Sequence, residues 1–401
     1  MIVSNNYRSI DRFSVAIGDV RQNIKACPAN VFQSICTSPP YFEMRDYEVE
    51  GQMGLEASPA AYIDAQVELY REVRRILRPD GTFWLNIGDK YSASGSGNSD
   101  QSKEVGRCGD LVLRRKSKNH ARIKNLLGLP WRLALAMQED GWNLRSEIIW
   151  DKMNPMVESP KDRCPREHEH VFMFTKSRHY YFDRFGDPED TKYGDPGDVR
   201  PRRTVWEIGT QKAYARHFAM FPVKLPERCF RMGASLLGCC PKCRTPYHRF
   251  IVKERIATRP GKTSMAYKPA NWHADGVKAD PLVATLDRHI VRGKRDPERH
   301  ITKYKFAGWN PGCGCFIGTG EMVTPVPCLV GDVFHGAGRS LVAADRLSMD
   351  YVGFELNPKC VEDTLIELEA DRKKRNKEAK RKRRVAKPFK QMPLIEEVDK
   401  C

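Results

Sequence analysis

The chain predicts an α/β fold with a doubly wound, mostly parallel sheet, and three observations support this. Apolar segments of strand length alternate with amphipathic helical segments, as in sheets covered by helices on both faces. Strand segments such as Val31-Phe32-Gln33-Ser34-Ile35-Cys36 and Thr82-Phe83-Trp84-Leu85-Asn86-Ile87 lack a polar face, as strands buried on both sides do. Two strand segments run into rigid or glycine-rich loops, at 37–41 and 332–338.

Taken in order, residues 15–20 read as a short strand and turn, and a helix is expected before the strand at 31–37. Ser58 is a good N-cap with Pro59 at the first helical position, opening a long amphipathic helix that should stop at Pro79-Asp80-Gly81. The strand at 82–87 follows. Residues 92–120 form a basic loop, 130–140 a helix, and 144–150 and 170–175 two strands. A polar stretch at 183–213 precedes a helix at 222–237 and the run Cys239-Cys240-Pro241-Lys242-Cys243. Residues 251–308 are basic and weakly periodic. A strand and glycine loop (327–338), a helix (340–347), a strand (351–355) and a final helix then lead into a Lys/Arg-dense tail.

A chain of 401 residues has room for two or three domains. Its net charge of +17 suits a polyanionic partner, either nucleic acid or an acidic membrane surface. No apolar run approaches the length of a spanning helix and the first eight residues lack an apolar signal core, so a soluble cytoplasmic protein with no membrane partner is expected. The 13 cysteines are odd in number and mostly scattered, which argues for reduced thiols plus one metal cluster. Cys240, Cys243, Cys313 and Cys315 make two close pairs, a donor set suited to tetrahedral structural zinc, with Cys239 as a spare. Such an ion would staple the ends of an insert too poor in apolar residues to fold well alone.

Thr37-Ser38-Pro39-Pro40-Tyr41 is rigid, because each proline fixes its own φ and restricts its predecessor. It presents one hydroxyl, two carbonyls and one aromatic face, which suits a flat ring carrying an amino group. Asp332-Val333-Phe334-His335-Gly336-Ala337-Gly338 is a strand, glycine turn and helix start that can cradle a cofactor. Glu355, 17 residues past the second glycine, ends the next strand near the spacing of a ribose-binding acid.

Together these motifs resemble the amino-methylating DNA methyltransferases, bacterial and phage enzymes that methylate N4 of cytosine or N6 of adenine. The resemblance spans residues 10–370. It is supported by the stretches 81–89, Ile149-Trp150-Asp151-Lys152, Arg166-Glu167-His168-Glu169, 217–222 and 353–358. The catalytic motif precedes the cofactor motif, as in the circularly permuted β group. The resemblance implies S-adenosylmethionine as cofactor and double-stranded DNA as substrate, with a cognate restriction endonuclease as a candidate partner. It implies a catalytic set of Ser38, Pro39, Pro40 and Tyr41. Ser38 and the Pro39 carbonyl would accept the amine hydrogens, and Tyr41 would stack on a flipped-out base. The implied cofactor-binding set is Asp332, Phe334, Gly336, Gly338, Glu355, Asn357 and Asp19. One departure stands out: Val333 replaces the family's proline, and His335, Ala337 and Arg339 replace small or hydroxyl residues. Attack at a ring carbon is not expected, because Cys164-Pro165 has the wrong order for that nucleophile and Pro327-Cys328 lies in a strand.

The expected layout is a catalytic half at 10–182, a target-recognition segment at 183–213 and a joining helix at 214–238. A zinc-ribbon-like basic insert at 239–316, a cofactor half at 322–370 and a frayed basic tail at 371–401 follow. Arg202, Arg203 and Trp206 are candidate DNA contacts, supported by basic regions at 102–124, 251–308 and 372–390. Ser38 leans the target toward cytosine N4, with adenine N6 as the alternative. A catalytically silent DNA-binding zinc protein of the same fold, and an enzyme acting on RNA, are the readings from other classes.

Overall fold

The computed structural model describes residues 7–10, 12–92, 103–105, 111–113, 122, 124–155, 158–191, 198–211, 220–257, 300–315 and 324–385. They belong to two compact units, one drawn from 1–187, 202–247 and 311–401, the other from 188–201 and 248–310. The described strands are β1 (Tyr7–Ile10), β2 (Phe13–Ile17), β3 (Phe32–Thr37), β4 (Leu77–Ile87), β5 (Lys103–Val105), β6 (Leu111–Leu113), β7 (Asn143–Asp151), β8 (His168–Thr175), β9 (Glu189–Asp190), β10 (Val199–Arg200), β11 (Val205–Glu207), β12 (His248–Ala257), β13 (His300–Asn310), β14 (Leu329–Asp332) and β15 (Asp350–Glu355). The described α-helices are α1 (Val20–Asn23), α2 (Pro59–Ile76), α3 (Leu129–Glu139), α4 (Lys224–Gly233), α5 (Arg339–Arg346) and α6 (Pro358–Val385).

The first unit is built on a nine-stranded sheet of order β1-β2-β15-β14-β3-β4-β8-β7-β11. Strands β2, β15, β14, β3 and β4 are mutually parallel, β8 runs antiparallel to β4 and β7, and β1 runs antiparallel to β2. All six residues of β3 are buried, as its unbroken apolar character predicts. One face packs under Tyr62, Val67 and Tyr70 of α2 and Leu133 and Met137 of α3. The other packs under Leu225 and Phe230 of α4, Leu341 and Val342 of α5 and Val361 of α6. The sheet is therefore covered on both sides, as expected.

The decisive feature is where the chain diverges. From β3 it passes through α2 to β4 on one side, and from β14 it passes through α5 to β15 on the other, while β3 and β14 are direct neighbours with Val330 opposite Ser34. That is a topological switch point, and the two β-strands deliver their following loops to the same crevice at the sheet's carboxyl edge.

Several boundaries differ from expectation. The helix capped by Ser58, whose side chain accepts the Ala61 N–H at 3.1 Å, runs directly into β4 at Leu77. Pro79-Asp80-Gly81 is taken up in an irregular start of β4, where the register with β3 jumps from Phe32↔Leu77 to Ser34↔Thr82. The segment 183–213 is divided: β9 and β10 pair within the second unit, whereas β11 joins the edge of the main sheet beside β7. The basic tail is helical to Val385 rather than frayed from 371. Arg346 reaches Asp371 at 2.5 Å and Arg372 reaches Asp345 at 2.7 Å, so alternating charges fasten this helix to α5. In the second unit β12 and β13 form a long antiparallel ribbon with a bulge after Phe250.

Candidate active site

The loop after β3 stands at the carboxyl edge because β3 ends at Thr37 between two parallel neighbours. Its Ser38 hydroxyl donates to the Tyr41 phenol at 3.2 Å, and Tyr41 donates to Glu169 Oε2 at 2.6 Å. Asn86, one residue before the end of β4, turns Nδ2 toward Ser38 Oγ (3.3 Å), the Tyr41 oxygen (3.0 Å) and Glu169 Oε2 (2.8 Å). Lys152 donates to the other oxygen of Glu169 at 2.5 Å. Burial works to raise the Glu169 pKa, but the Lys152 ammonium and the bonds from Tyr41 and Asn86 outweigh it and hold the carboxyl below its usual range. Burial, then the Glu169 charge, pushes the Tyr41 phenol well above the usual value. Gly88 gives the Tyr41 ring its place: a Cβ there would stand 2.8 Å from Tyr41 Cε2. Of the two carbonyls expected to be open, that of Pro40 accepts the Tyr62 hydroxyl at 3.1 Å, which narrows the acceptor role to Pro39.

The second loop follows β14. Asp332 is buried, and its oxygens accept from Thr37 Oγ1 (2.6 Å), the Phe334 N–H (2.9 Å) and Ser340 Oγ (2.5 Å). It therefore ties the strand that carries the Ser38 loop to the glycine loop across 295 residues of sequence. Phe334 is partly buried. Gly336 donates its N–H to Glu355 Oε2 at 2.7 Å, and Asn357 donates its N–H to Oε1 at 2.8 Å. Gly338 has φ +80° at the start of α5, where a Cβ would come within 2.5 Å of Thr364. The Asn357 side chain accepts the Lys359 N–H, as a helix cap does. Asp19, on the turn after β2, caps α1 through the Arg21 N–H and pairs with the Arg21 guanidinium at 2.7 Å.

The substitutions that set this loop apart are packed from beneath. His335 is buried, with Nδ1 2.8 Å from the Tyr351 hydroxyl and Nε2 2.8 Å from Thr364 Oγ1. Arg339 forms a fully buried pair with Glu367 at 3.3 Å, and Val333 lies in the core. The loop is thus anchored by its unusual residues.

Burial raises Asp332 to about 6 and Glu355 to about 7, against the hydrogen bonds each accepts. Both are raised, so the folded chain keeps protons that the unfolded chain releases as pH climbs from about 4 toward 7. Stability from this source is complete below the unfolded values and lost as pH rises through 6 to 7. The urea midpoint of the cofactor-free protein is expected to fall between pH 5 and 7.5, and Asp332→Asn should flatten that slope. Equal slopes in the two proteins would refute the assignment.

Four thiols, of Cys240, Cys243, Cys313 and Cys315, lie within 4.8 Å of one another, all in the first unit. Tetrahedral zinc with bonds of about 2.3 Å needs sulfurs about 3.8 Å apart, so the cluster fits that ion with little closure. The turn at 240–245 is held by Arg244 N–H to Cys240 O and Cys240 N–H to Thr245 O. Cys239 is buried and directs its thiol at the Val326 and Pro327 carbonyls, which removes it as a ligand.

Trp206 is not a nucleic-acid contact. It is 2% exposed, packs tilted against Trp84 with ring centroids 6.4 Å apart, and gives its N–H to the Arg203 carbonyl. Its neighbours Val205 and Glu207 are exposed, an alternation that could have marked 204–208 as an edge strand. Arg202 is engaged by Asp187 at 2.6 Å, whereas Arg203 is exposed. Sequence reasoning passed over Glu169, Lys152, Asn86 and Thr37 as site residues. A signal existed for two of them: Asn86 and Glu169 share the sheet face of Trp84 and Met173, so two polar groups at strand ends meet.

Comparison with known proteins agrees with this geometry. The family described as DNA methylase matches residues 32–235, half of the chain. Type II methyltransferase M.Cfr9I of Citrobacter freundii is 42% identical over 213 residues, 53% of this chain and 69% of the relative. Type II methyltransferase M.SmaI of Serratia marcescens is 40% identical over 234 residues, 58% of this chain and 78% of the relative. Among solved structures, PvuII DNA methyltransferase (cytosine-N4-specific) shares the fold, with a TM-score of 0.50 at 15% identity over 88% of this chain and 86% of that one. The chain belongs to the DNA methylase family of amino-methylating enzymes. No helix among the described residues is long and apolar enough to cross a membrane.

Proposed function

We propose that this enzyme transfers a methyl group from S-adenosylmethionine to the exocyclic N4 amine of a cytosine flipped out of duplex DNA. The observation that carries the reading is the meeting of the Ser38–Pro39 loop and the glycine loop at one switch point, joined by the Thr37–Asp332 hydrogen bond. The cofactor, when bound, supplies an electrophilic methyl group on a sulfonium. Glu355 would hold its ribose hydroxyls, since its carboxylate oxygens keep lone pairs beside the Gly336 and Asn357 N–H groups they accept. Gly336 would admit the amino-acid end, Gly338 lets the loop close on Thr364 of α6 so that the helix start stands beside it, and Phe334 offers a ring to the adenine. Asp332 serves as the brace, and Asn357 and Asp19 serve through the backbone they cap.

An exocyclic amine is a poor nucleophile because its lone pair is delocalised into the ring. Ser38 Oγ and the Pro39 carbonyl accept its hydrogens, draw the nitrogen toward a tetrahedral shape and orient the freed lone pair. Tyr41 stacks on the base, whose extrusion costs about a few kcal/mol. Serine rather than aspartate at position 38 favours cytosine over adenine. The net charge of +17 and exposed groups such as Arg203 support phosphate binding. The catalytic loop's place ahead of the cofactor loop supports the permuted β-group order. Zinc at the four thiols is read as structural, and the Type II relatives support a cognate restriction endonuclease as partner.

Mass analysis of nucleosides from the DNA of an expressing host tests the reading. N4-methylcytosine is expected, and Ser38→Ala should lower its formation by about 100-fold or more. N6-methyladenine would reassign the base. Unmodified DNA from a host holding soluble, cofactor-binding protein would sink the proposal.

A further inference from the structure

The hydrogen bonds around Ser38 run in one direction. Glu169, held charged, can only accept. Tyr41 has a single proton and spends it on Glu169 Oε2 at 2.6 Å, so its oxygen can only accept from Ser38 and Asn86. Ser38 in turn has a single proton and spends it on Tyr41. What Ser38 can offer a substrate is therefore a lone pair, never a proton. The direction is imposed at the far end by Lys152, whose ammonium sits 2.5 Å from Glu169 Oε1 and above the Trp150 ring at 5.0 Å from its centroid. On the opposite face of β8, His170 pairs with Glu147 and the His168 ring stands against that of His170.

We propose that Glu169, charge-paired with Lys152, is a positioning residue that makes Ser38 an obligate hydrogen-bond acceptor and receives, through Tyr41 and Ser38, the proton lost by the methylated amine. The inference rests on the methyltransferase reading above. It has a consequence for substrate choice: an acceptor-only Ser38 fits a base position bearing an amino group and repels one bearing a carbonyl oxygen. The proton step balances. The cationic amine gives one proton to Ser38 Oγ, Ser38 gives its own to the Tyr41 oxygen, and Tyr41 gives its own to Glu169 Oε2. One N–H and two O–H bonds break, three O–H bonds form, and the amine cation and the carboxylate both end neutral. An ammonium on the electron-poor pyrimidine ring of cytosine is a far stronger acid than a carboxylic acid, so the transfer runs downhill even to a carboxylate stabilised by Lys152.

Two readouts test this. In protein labelled with 13Cζ-tyrosine, the Tyr41 resonance, identified by its loss in Tyr41→Phe, is expected to move in Glu169→Gln. An unmoved resonance overturns the chain of hydrogen bonds, whatever the protein's activity. In single-turnover methyl transfer to host DNA, Glu169→Gln and Tyr41→Phe should each lose about 100-fold in rate with half-saturating cofactor and DNA concentrations unchanged. The double variant should be within threefold of the slower single variant, because both cut one path. A Glu169→Gln rate within threefold of wild type, or losses that multiply, overturns the proposal. Should Glu169→Gln fail to fold, Lys152→Met replaces it. That variant should lose rate at pH 7, where the buried carboxyl takes up a proton, and regain it near pH 9. A loss independent of pH overturns the proposal. A wild-type protein that transfers no methyl group at all would instead refute the function, leaving the resonance to decide the hydrogen-bond chain.

Discussion

Protein purified without chelator is expected to carry about one zinc per chain, and Cys243→Ser combined with Cys313→Ser is expected to lose it. Four-thiolate zinc sites bind with apparent free energies of about 10–16 kcal/mol, larger than any single side-chain contact in this molecule. The cluster spans a long gap in sequence, since Cys243 and Cys313 flank the ribbon of β12 and β13. If roughly 5 kcal/mol of the binding energy stabilises the fold, the thermal midpoint should fall by about 10 °C or more on loss of the ion. Cofactor binding should survive, because the glycine loop is fastened by His335, Asp332 and the Arg339–Glu367 pair without help from the cysteines. Less than about 0.2 zinc per chain by metal analysis, with an unchanged midpoint in the variant, would falsify the site.

The second large effect is expected at Asp332. Asp332→Ala strands three buried donors at once, from Thr37, Ser340 and Phe334, and each unsatisfied group costs about 1–3 kcal/mol. Relief of the buried carboxyl's own desolvation offsets part of this, so a net loss of about 3 kcal/mol is expected from urea unfolding at pH 7. Activity should fall further than stability accounts for, because the same bond holds the catalytic loop against the cofactor loop, and misplacement by about 1 Å can cost a factor of 100. Asp332→Asn, which keeps the shape and most acceptors, should retain most of both. Full activity in folded Asp332→Ala would show that the brace is not needed.

Much of this was legible in the chain. Buried strands announced themselves through runs such as 31–36 and 82–87, because a strand covered on both faces needs no polar side. The catalytic and glycine loops were legible because proline and glycine act through local backbone geometry, which depends on few neighbours. Ser58 and Pro59 marked the start of α2 for the same reason. The failures had a common cause. Trp206 looked like a basic-region aromatic, yet its strand is placed by β7, more than 50 residues away. The Lys/Arg tail looked unstructured, yet acids on α5 and α6 neutralise its first turns.

By itself, then, the sequence determined the class of fold, the two loops and the chemistry each residue type can perform. Only the tertiary structure decided which groups act together. Asp332 joins the two loops because β3 and β14, far apart in the chain, are adjacent in the sheet and bring Thr37 within hydrogen-bond reach. Glu169 stands beside Asn86 and the Ser38 loop because β4 and β8 pair antiparallel. Hydrogen bonds of under 3 Å between residues 83 to 295 positions apart are set by strand order and register, which no local pattern encodes.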